Sequence, residues 1–493
     1  MNKTIYSATV RRLCLLAIPV ALLIAGCAAV GPDYVAPDAA APDAWQTGLQ
    51  DGLRADPVDA DQLAEWWETL GDPLLTDLIR KSLTANPDLK QAMARVRQSR
   101  ASRAMTRAER FPTVDAGGSA TTNRISKASS NTENGAERDW YEAGFDAGWE
   151  IDIFGGVRRR VEAAEADLEA AQADLDDVRV SLAAEVARNY VDACTYQYRL
   201  DVARANIKAQ EETVDLIQSR FEAGLSNELA IRQASYNLED TRSQLPSLRS
   251  GLEAAKNRLA VLSGQTPGSL QAAFEKRRPI PVPPVTVAVG VPANTLRRRP
   301  DIRSAERQLA AQSARIGVAT ADLYPKFQLL GTIGLETINS GEFFDKASRF
   351  WSLGPSVSWR VFDAGAIRRN IEVQSAIQEQ YLAAYEGAVL GALEEVENAL
   401  TTYAEEQVRR SHLEAAVAAA QRAVDLAQDL YTAGLVDFSN VLDAQRSLLS
   451  FQNALAQSEG TVTTDLISLY KALGGGWKQT TDRDIQPLLG TTE

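Results

Sequence analysis

Residues Val157 to Ala223 open VRRRVEAAEADLEAAQADLDDVRVSLAA (157–184) and run 67 positions without a glycine or proline. Alanine, glutamate, leucine, arginine and glutamine dominate, and most of these favour helix. Gly155-Gly156 punctuates the start, and Gly224 offers a left-handed cap at the end. Val161, Ala164, Leu168, Ala171, Leu175, Val178 and Leu182 step alternately by three and four. That spacing is a heptad seam, narrower than the stripe of a globular helix. At about 1.5 Å per residue the rod reaches roughly 100 Å, a length that suits a coiled-coil tube or a long projection.

The whole chain has 493 residues, 45% apolar and 24% charged, with a net charge of −13. This is a folded composition, and it lacks the basic stripe that nucleic-acid binding requires. A solvated acidic surface accounts for the charge without naming a partner. One histidine and three methionines argue against a soft-metal site. The sequence implies no cofactor, and His412 has no evident nucleophile partner, so an enzyme is not indicated.

Lys3, Arg11 and Arg12 precede an apolar run from Leu13 to Ala25, the pattern of an export signal covering 1–26. Ile24-Ala25-Gly26-Cys27 has the form of a bacterial lipoprotein box, which makes Cys27 the expected first mature residue and lipid-attachment site. Removing 1–26 takes away three positive charges and no acids, leaving −16. Ala28, rather than aspartate, follows the cysteine, which favours the outer membrane by resemblance to lipoprotein sorting. Pro32, Pro37 and Pro42 mark an extended tether. Asp72-Pro73 and Asn86-Pro87 then read as successive helix starts.

An internal duplication governs the rest. Asn86-Pro87-Asp88-Leu89 matches Arg299-Pro300-Asp301-Ile302, and Phe111-Pro112 matches Tyr324-Pro325, both at an offset of 213. Trp149, Gly155, Arg158 and Arg159 match Trp359, Gly365, Arg368 and Arg369 at 210, as Phe221-Glu222-Ala223-Gly224-Leu225 matches Tyr431-Thr432-Ala433-Gly434-Leu435. Each copy reads helix, strand, loop, strand, long helix, turn, helix. Helices expected at 87–111 and 226–263 nearly sum to the long helix, as do 300–324 and 436–473 against 366–433. Two short helices stacked end to end beside one long helix would give matched columns. The expected organisation is a tether and equatorial segment at 27–70, a first repeat at 71–264, a linker at 265–298, a second repeat at 299–475 and a C-terminal segment at 476–493.

In the strand expected from Trp140 to Ile153, Tyr141, Phe145, Trp149 and Ile151 share one face. Glu142, Asp146, Glu150 and Asp152 share the other. A strand with one face on lipid and one on a wet lumen needs about 9–11 residues. Copy two repeats the pattern at 326–336 and 351–361, and a weaker strand spans 112–123. Asp146, Glu150 and Asp152 are the expected lumen residues. An antiparallel sheet in a sandwich is the competing reading. Four strands leave open edges that lipid cannot satisfy, so the chain must oligomerise, and three copies give twelve strands. The polar loops 124–139 and 336–349 then fall on one side, outside the cell.

The lipoprotein box, Val30-Gly31-Pro32-Asp33-Tyr34, Trp66-Trp67, Gly71-Asp72-Pro73-Leu74, Asn86-Pro87-Asp88-Leu89, the two Ala-Gly-Leu turns and Val441-Leu442-Asp443-Ala444-Gln445-Arg446 together resemble the TolC-like outer-membrane factors. Their lipoprotein branch, often called NodT-type, is the most similar, across nearly the whole mature chain. The resemblance implies an α+β membrane protein: a homotrimer with a 12-stranded transmembrane β-barrel, four strands per chain, continuous with a periplasmic α-helical barrel. It implies an outer-membrane exit duct that conducts small molecules passively. Its partners would be a periplasmic adaptor, an inner-membrane RND pump and outer-membrane lipid. Ala223, Gly224, Leu225, Ala433, Gly434 and Leu435 would be the adaptor-contacting tips. Asp443 matches an acidic gate position, whereas Asn440 and Ala230 stand where some relatives carry aspartate and Val436 where some carry arginine, so the charged latch is reduced. A duct for type I protein secretion and a non-conducting periplasmic coiled coil are the alternatives.

Overall fold

The computed structural model describes residues 29–38, 41–50, 52–57, 59–124, 126, 137–284 and 286–478. The signal segment, Cys27, most of the loop read at 124–139 and residues 479–493 lie outside these. The first part of the chain carries strand β1 (Leu53–Arg54), helix α1 (Ala60–Ala64), a 3₁₀ turn (Trp66–Leu70) and helices α2 (Pro73–Ala85) and α3 (Pro87–Ala108). Strands β2 (Thr113–Arg124) and β3 (Glu137–Ile151) lead to α4 (Gly156–Glu222) and α5 (Glu228–Leu262). After β4 (Val287–Ala288) and α6 (Pro292–Arg298) the pattern repeats as α7 (Pro300–Ala321), β5 (Lys326–Thr337), β6 (Arg349–Ser358), α8 (Ala366–Thr432) and α9 (Phe438–Ala472). The repeated helices have identical lengths of 22, 67 and 35 residues. Among the described residues no helix is long and apolar enough to cross a membrane, which says nothing about a β-barrel.

Local chemistry sets the ends. The helices before the strands stop three residues short of the expected Phe111 and Tyr324. Phe111 and Tyr324 precede prolines, and a residue before proline is pushed out of the α region. The chain unwinds there through tight turns, Phe111 N–H to Ala108 O at 2.9 Å and Tyr324 N–H to Ala321 O at 3.1 Å. At the other end, the side-chain oxygen of Asn227 accepts the Ala230 N–H at 3.0 Å, starting α5 two residues later than the spacing suggests.

The chain divides into two compact units. Among the described residues, the first holds 29–37, 96–171 and 304–385. Its sheet is antiparallel, in the order β2-β3-β5-β6. Below the sheet α7 packs between the two long helices. Arg315 and Arg307 reach Asp167 and Glu169 of α4 at 2.6 and 3.1 Å. Gln312 donates to the Gln374 carbonyl of α8 at 3.0 Å.

Among the described residues, the second unit holds 38–95, 172–303 and 386–478. Trp66 is fully buried and stacks on Tyr470, centroids 5.4 Å apart. Strands β1 and β4 of this unit pair in parallel. The end-to-end stacking of short helices is real. Asn86, at the start of α3, donates its amide to the Leu262 carbonyl ending α5 at 3.0 Å. Arg299 does the same for the Ala472 carbonyl ending α9, at 2.9 Å. Asparagine and arginine thus solve one problem twice: orphan carbonyls at a buried helix end need a donor.

The heptad reading of α4 is too narrow. Of the seven seam residues Val161, Leu168, Leu175 and Leu182 are buried, whereas Ala164, Ala171 and Val178 are only half-buried, and Ala163, Ala166, Ala170, Ala173 and Val180 are buried outside the seam. The helix has α7 against a second face, where Ala166 packs on Ala310 and Ala311.

Candidate functional site: sheet faces, hairpin tips and the amino-terminal strap

The pairing register sorts the sheet into two unlike faces. Across one face run Ala116, Phe145, Ile333 and Trp351, then Val114, Ala147, Gly331 and Leu353. Ile333, Leu353 and Trp351 are 63, 68 and 74% exposed. A continuous apolar surface of this kind is foreign to a water-soluble sheet and suits acyl chains. Across the opposite face run Asp115, Asp146, Thr332 and Ser352, with Ser119, Glu142 and Glu336 further along. Asp115 sits directly opposite Asp146, and Glu142 opposite Glu336. Like charges so placed repel, which a water-filled lumen tolerates and a dry sandwich does not. Between these rows lies Gly117-Gly144-Gly334, ending on Phe350. A Cβ at Gly334 would stand 2.9 Å from the Phe350 ring and one at Gly144 2.7 Å from the Ile333 carbonyl, so both must be glycine.

Asp146 and Glu150 stand on the acidic face as expected, and Asp146 accepts the Thr332 hydroxyl at 2.8 Å. Asp152 does not. Strand β3 ends at Ile151, and the Asp152 carboxylate turns to cap α4, accepting the Val157 and Arg158 N–H groups at 3.1 and 2.9 Å. Alternation alone would place it on the acidic face. The unpaired N–H groups of a 67-residue helix draw it away. Asp363 caps α8 likewise, taking the Gly365 and Ile367 N–H groups at 2.8 Å each, and these hold its carboxyl below the usual range. At the same edge Trp149 donates its indole N–H to Arg110 O at 3.0 Å and Trp359 to Leu323 O at 3.1 Å.

Both hairpin tips are Schellman turns. Gly224 and Gly434 have φ of 75° and 72°. Leu225 N–H reaches Arg220 O at 2.8 Å, and Leu435 N–H reaches Leu430 O at 2.9 Å. Ala223, Leu225, Ala433 and Leu435 are all exposed, so the turn geometry and an available contact surface coincide.

Comparison with known proteins bears on these surfaces together. The pattern of the family described as outer membrane efflux protein matches residues 78–265 and 291–475. The chain belongs to the outer membrane efflux protein family. Nodulation protein T of Rhizobium leguminosarum bv. trifolii is 32% identical over 465 residues, 93% of this chain and 96% of that protein. The toluene efflux pump outer membrane protein TtgI of Pseudomonas putida is 32% identical over 461 residues, 92% of this chain and 97% of its own. The solved outer-membrane channel OprN superposes with a TM-score of 0.86 at 37% identity, covering 91% of this chain and 99% of that one. The fold is that of TolC-like channels, and the protein is an outer-membrane exit duct of an efflux system.

For a member of this efflux family, the tip holds one contact the sequence did not announce. Arg220, ending α4, lies over the Tyr431 ring at 4.9 Å and donates to the Thr432 carbonyl at 3.5 Å, tying the tip of α4 to that of α8. The signal was an asymmetry between repeats: Arg220 aligns with Leu430. Beneath it Ile217, Ala230, Phe438, Val441 and Leu442 form one apolar cluster drawn from α4, α5 and α9. Asp443 and Asn440 are both exposed on the first turns of α9, and Asn440 is spent on the Asp437 carbonyl at 3.2 Å.

The tether is anchored rather than loose. Val30 N–H bonds Phe154 O at 3.0 Å. Arg159 donates to the Val30 and Gly31 carbonyls at 3.1 and 3.3 Å and to the Asp33 carboxylate at 2.7 Å. Gly31 (φ 89°) crosses Gly317 of α7 so closely that a Cβ would lie 2.4 Å from the Gly317 Cα. Tyr34 donates to Glu306 at 3.1 Å, and Arg307 covers its ring. Burial would lower the Arg159 pKa, but its hydrogen bonds to Asp33 and Glu162 raise it.

Proposed function

We propose that three copies of this chain close one 12-stranded barrel in the outer membrane and one helical tunnel beneath it. A periplasmic adaptor docks on residues 223–225 and 433–435, splays the hairpins, and lets small molecules leave passively. An inner-membrane RND pump supplies the energy, and acylated Cys27 anchors each chain. The observation that carries this reading is the four-stranded sheet, apolar on one face, acidic on the other, with unpaired edges at β2 and β6. Open edges are untenable in lipid. The toluene efflux relative supports small-molecule cargo over polypeptide. Purified protein in a planar bilayer should give discrete, low conductance steps; a folded protein that gives none overturns the duct.

The acidic face favours cations within about a Debye length, roughly 8 Å at physiological salt. Asp146→Asn with Glu150→Gln should move the cation-to-anion permeability ratio toward unity. An unchanged reversal potential in a salt gradient removes these residues from the selectivity path.

The Arg220–Tyr431 contact is worth about 1 kcal/mol. Arg220→Ala therefore shifts the splayed-tip population upward by roughly fivefold, read as higher open probability. Asp443→Ala should raise the leak as well. A variant that conducts as the parent does has no part in the gate.

A further inference from the structure

We infer that strand β6 of each copy pairs with β2 of the next in one definite register, Trp351 opposite Arg124 through Val361 opposite Val114, and that residues 359–361 become strand only when that neighbour is present. The inference rests on the reading that copies complete one barrel, and it fixes how they do so.

The duplication supplies the register. Offsets of 213 and 210, found from sequence, also describe the sheet. In the first hairpin Thr113 pairs with Gly148; adding 213 and 210 gives Lys326 and Ser358, which pair in the second. The indole bonds obey the same offsets, Trp149 to Arg110 becoming Trp359 to Leu323. The two hairpins are therefore copies in pairing and in their seating on the helices. Between them β3 meets β5 from Tyr141 opposite Thr337 to Ile151 opposite Phe327. A ring of identical repeats requires the same joint between β6 and the next β2. Trp149 opposite Leu329 then becomes Trp359 opposite Ala116, and Glu142 opposite Glu336 becomes Ser352 opposite Asn123.

Two independent features agree. The transferred register keeps the faces: Leu353 and Val357 come beside Thr122 and Gly118 on the outward face, and Ser356 beside Ser119 on the polar one. A slip by one residue would bring opposite faces together. The register also explains an uneven end. Strand β3 runs through Ile151 because its last three residues have β5 beside them. Their counterparts Trp359, Arg360 and Val361 lie beyond the end of β6, and Val361 is 78% exposed. Alternation in the sequence runs through Val361, so the residues suit a strand and lack only a partner, here residues 114–116 of a second copy.

The test is disulfide trapping in the full-length, membrane-inserted protein. The double variant Ser356→Cys with Ser119→Cys places both thiols on the polar face, and mild oxidation should yield reductant-sensitive bands at two and three times the chain mass. Ser356→Cys with Asn123→Cys, four residues off and about 13 Å away along the strand, should give at least tenfold less. Preferential linkage through Gly117→Cys or Thr121→Cys in a protein that sizes as a trimer overturns the register and leaves the assembly standing. No linkage at any of these positions in a trimer overturns the register too. A protein that sizes as a folded monomer in detergent and links nowhere overturns the assembly itself.

Discussion

Asp72→Ala should destabilise the helical unit by about 2–4 kcal/mol. Asp72 Oδ1 accepts the Leu74 and Leu75 N–H groups at 2.8 and 3.2 Å, and losing a cap of this kind costs about 1 kcal/mol. Its other oxygen accepts the Tyr190 hydroxyl at 2.5 Å. Tyr190 is fully buried in mid-α4, and its hydroxyl would be left without that partner, at about 1–3 kcal/mol. One carboxylate thus holds the start of α2 against the long helix, beside the 3₁₀ turn that buries Trp66 and Trp67. Asp72→Asn keeps the cap and should lose less. Tyr190→Phe with Asp72→Ala should be far less than additive. Chemical denaturation followed by helical circular dichroism measures all three; additive losses would mean the two groups do not act on each other.

That site shows what the sequence could and could not say. Asp72 before Pro73 is legible because capping is a transaction within four residues. Tyr190 is 118 positions away, and nothing in its neighbourhood names a partner. The same division runs through the molecule. Helix existence, the stacked short columns and the two-faced strands follow from local periodicity and the duplication, and the structure has them. The misplacements arise where a backbone terminus competes for a side chain, as at Asp152, or where a strand's end depends on a neighbouring strand, as at Val361. Periodicity extends a strand for as long as residues alternate, whereas pairing stops it where the partner stops.

The duplication itself misleads at Arg159 and Arg369, which occupy matching positions with a glutamate three residues on. In sequence they are equivalent. In the fold Arg159 is 4% exposed at its side chain and clasps the amino-terminal strap, while Arg369 is 82% exposed and meets Glu372. Among the described residues, only the first copy has chain to hold at this position. Arg159→Ala leaves the Val30 and Gly31 carbonyls without their guanidinium donor and Asp33 without its ion pair. Loss of charge-assisted bonds of this kind should weaken local docking by about 2–4 kcal/mol. Hydrogen exchange at Val30, whose N–H is held by Phe154 O, should accelerate roughly 30- to 1000-fold. Arg369→Ala is the matched control and should leave that exchange unchanged. If both variants behave alike, the strap is held by Gly31 against Gly317 and by Tyr34, not by Arg159. Ala29 lies against Gly155 at the foot of β3, where a Cβ on the glycine would fall 2.5 Å from the alanine Cβ. With the strap docked, Ala29 is held at the foot of β3, so the same exchange experiment reads the seating of the strap on the sheet.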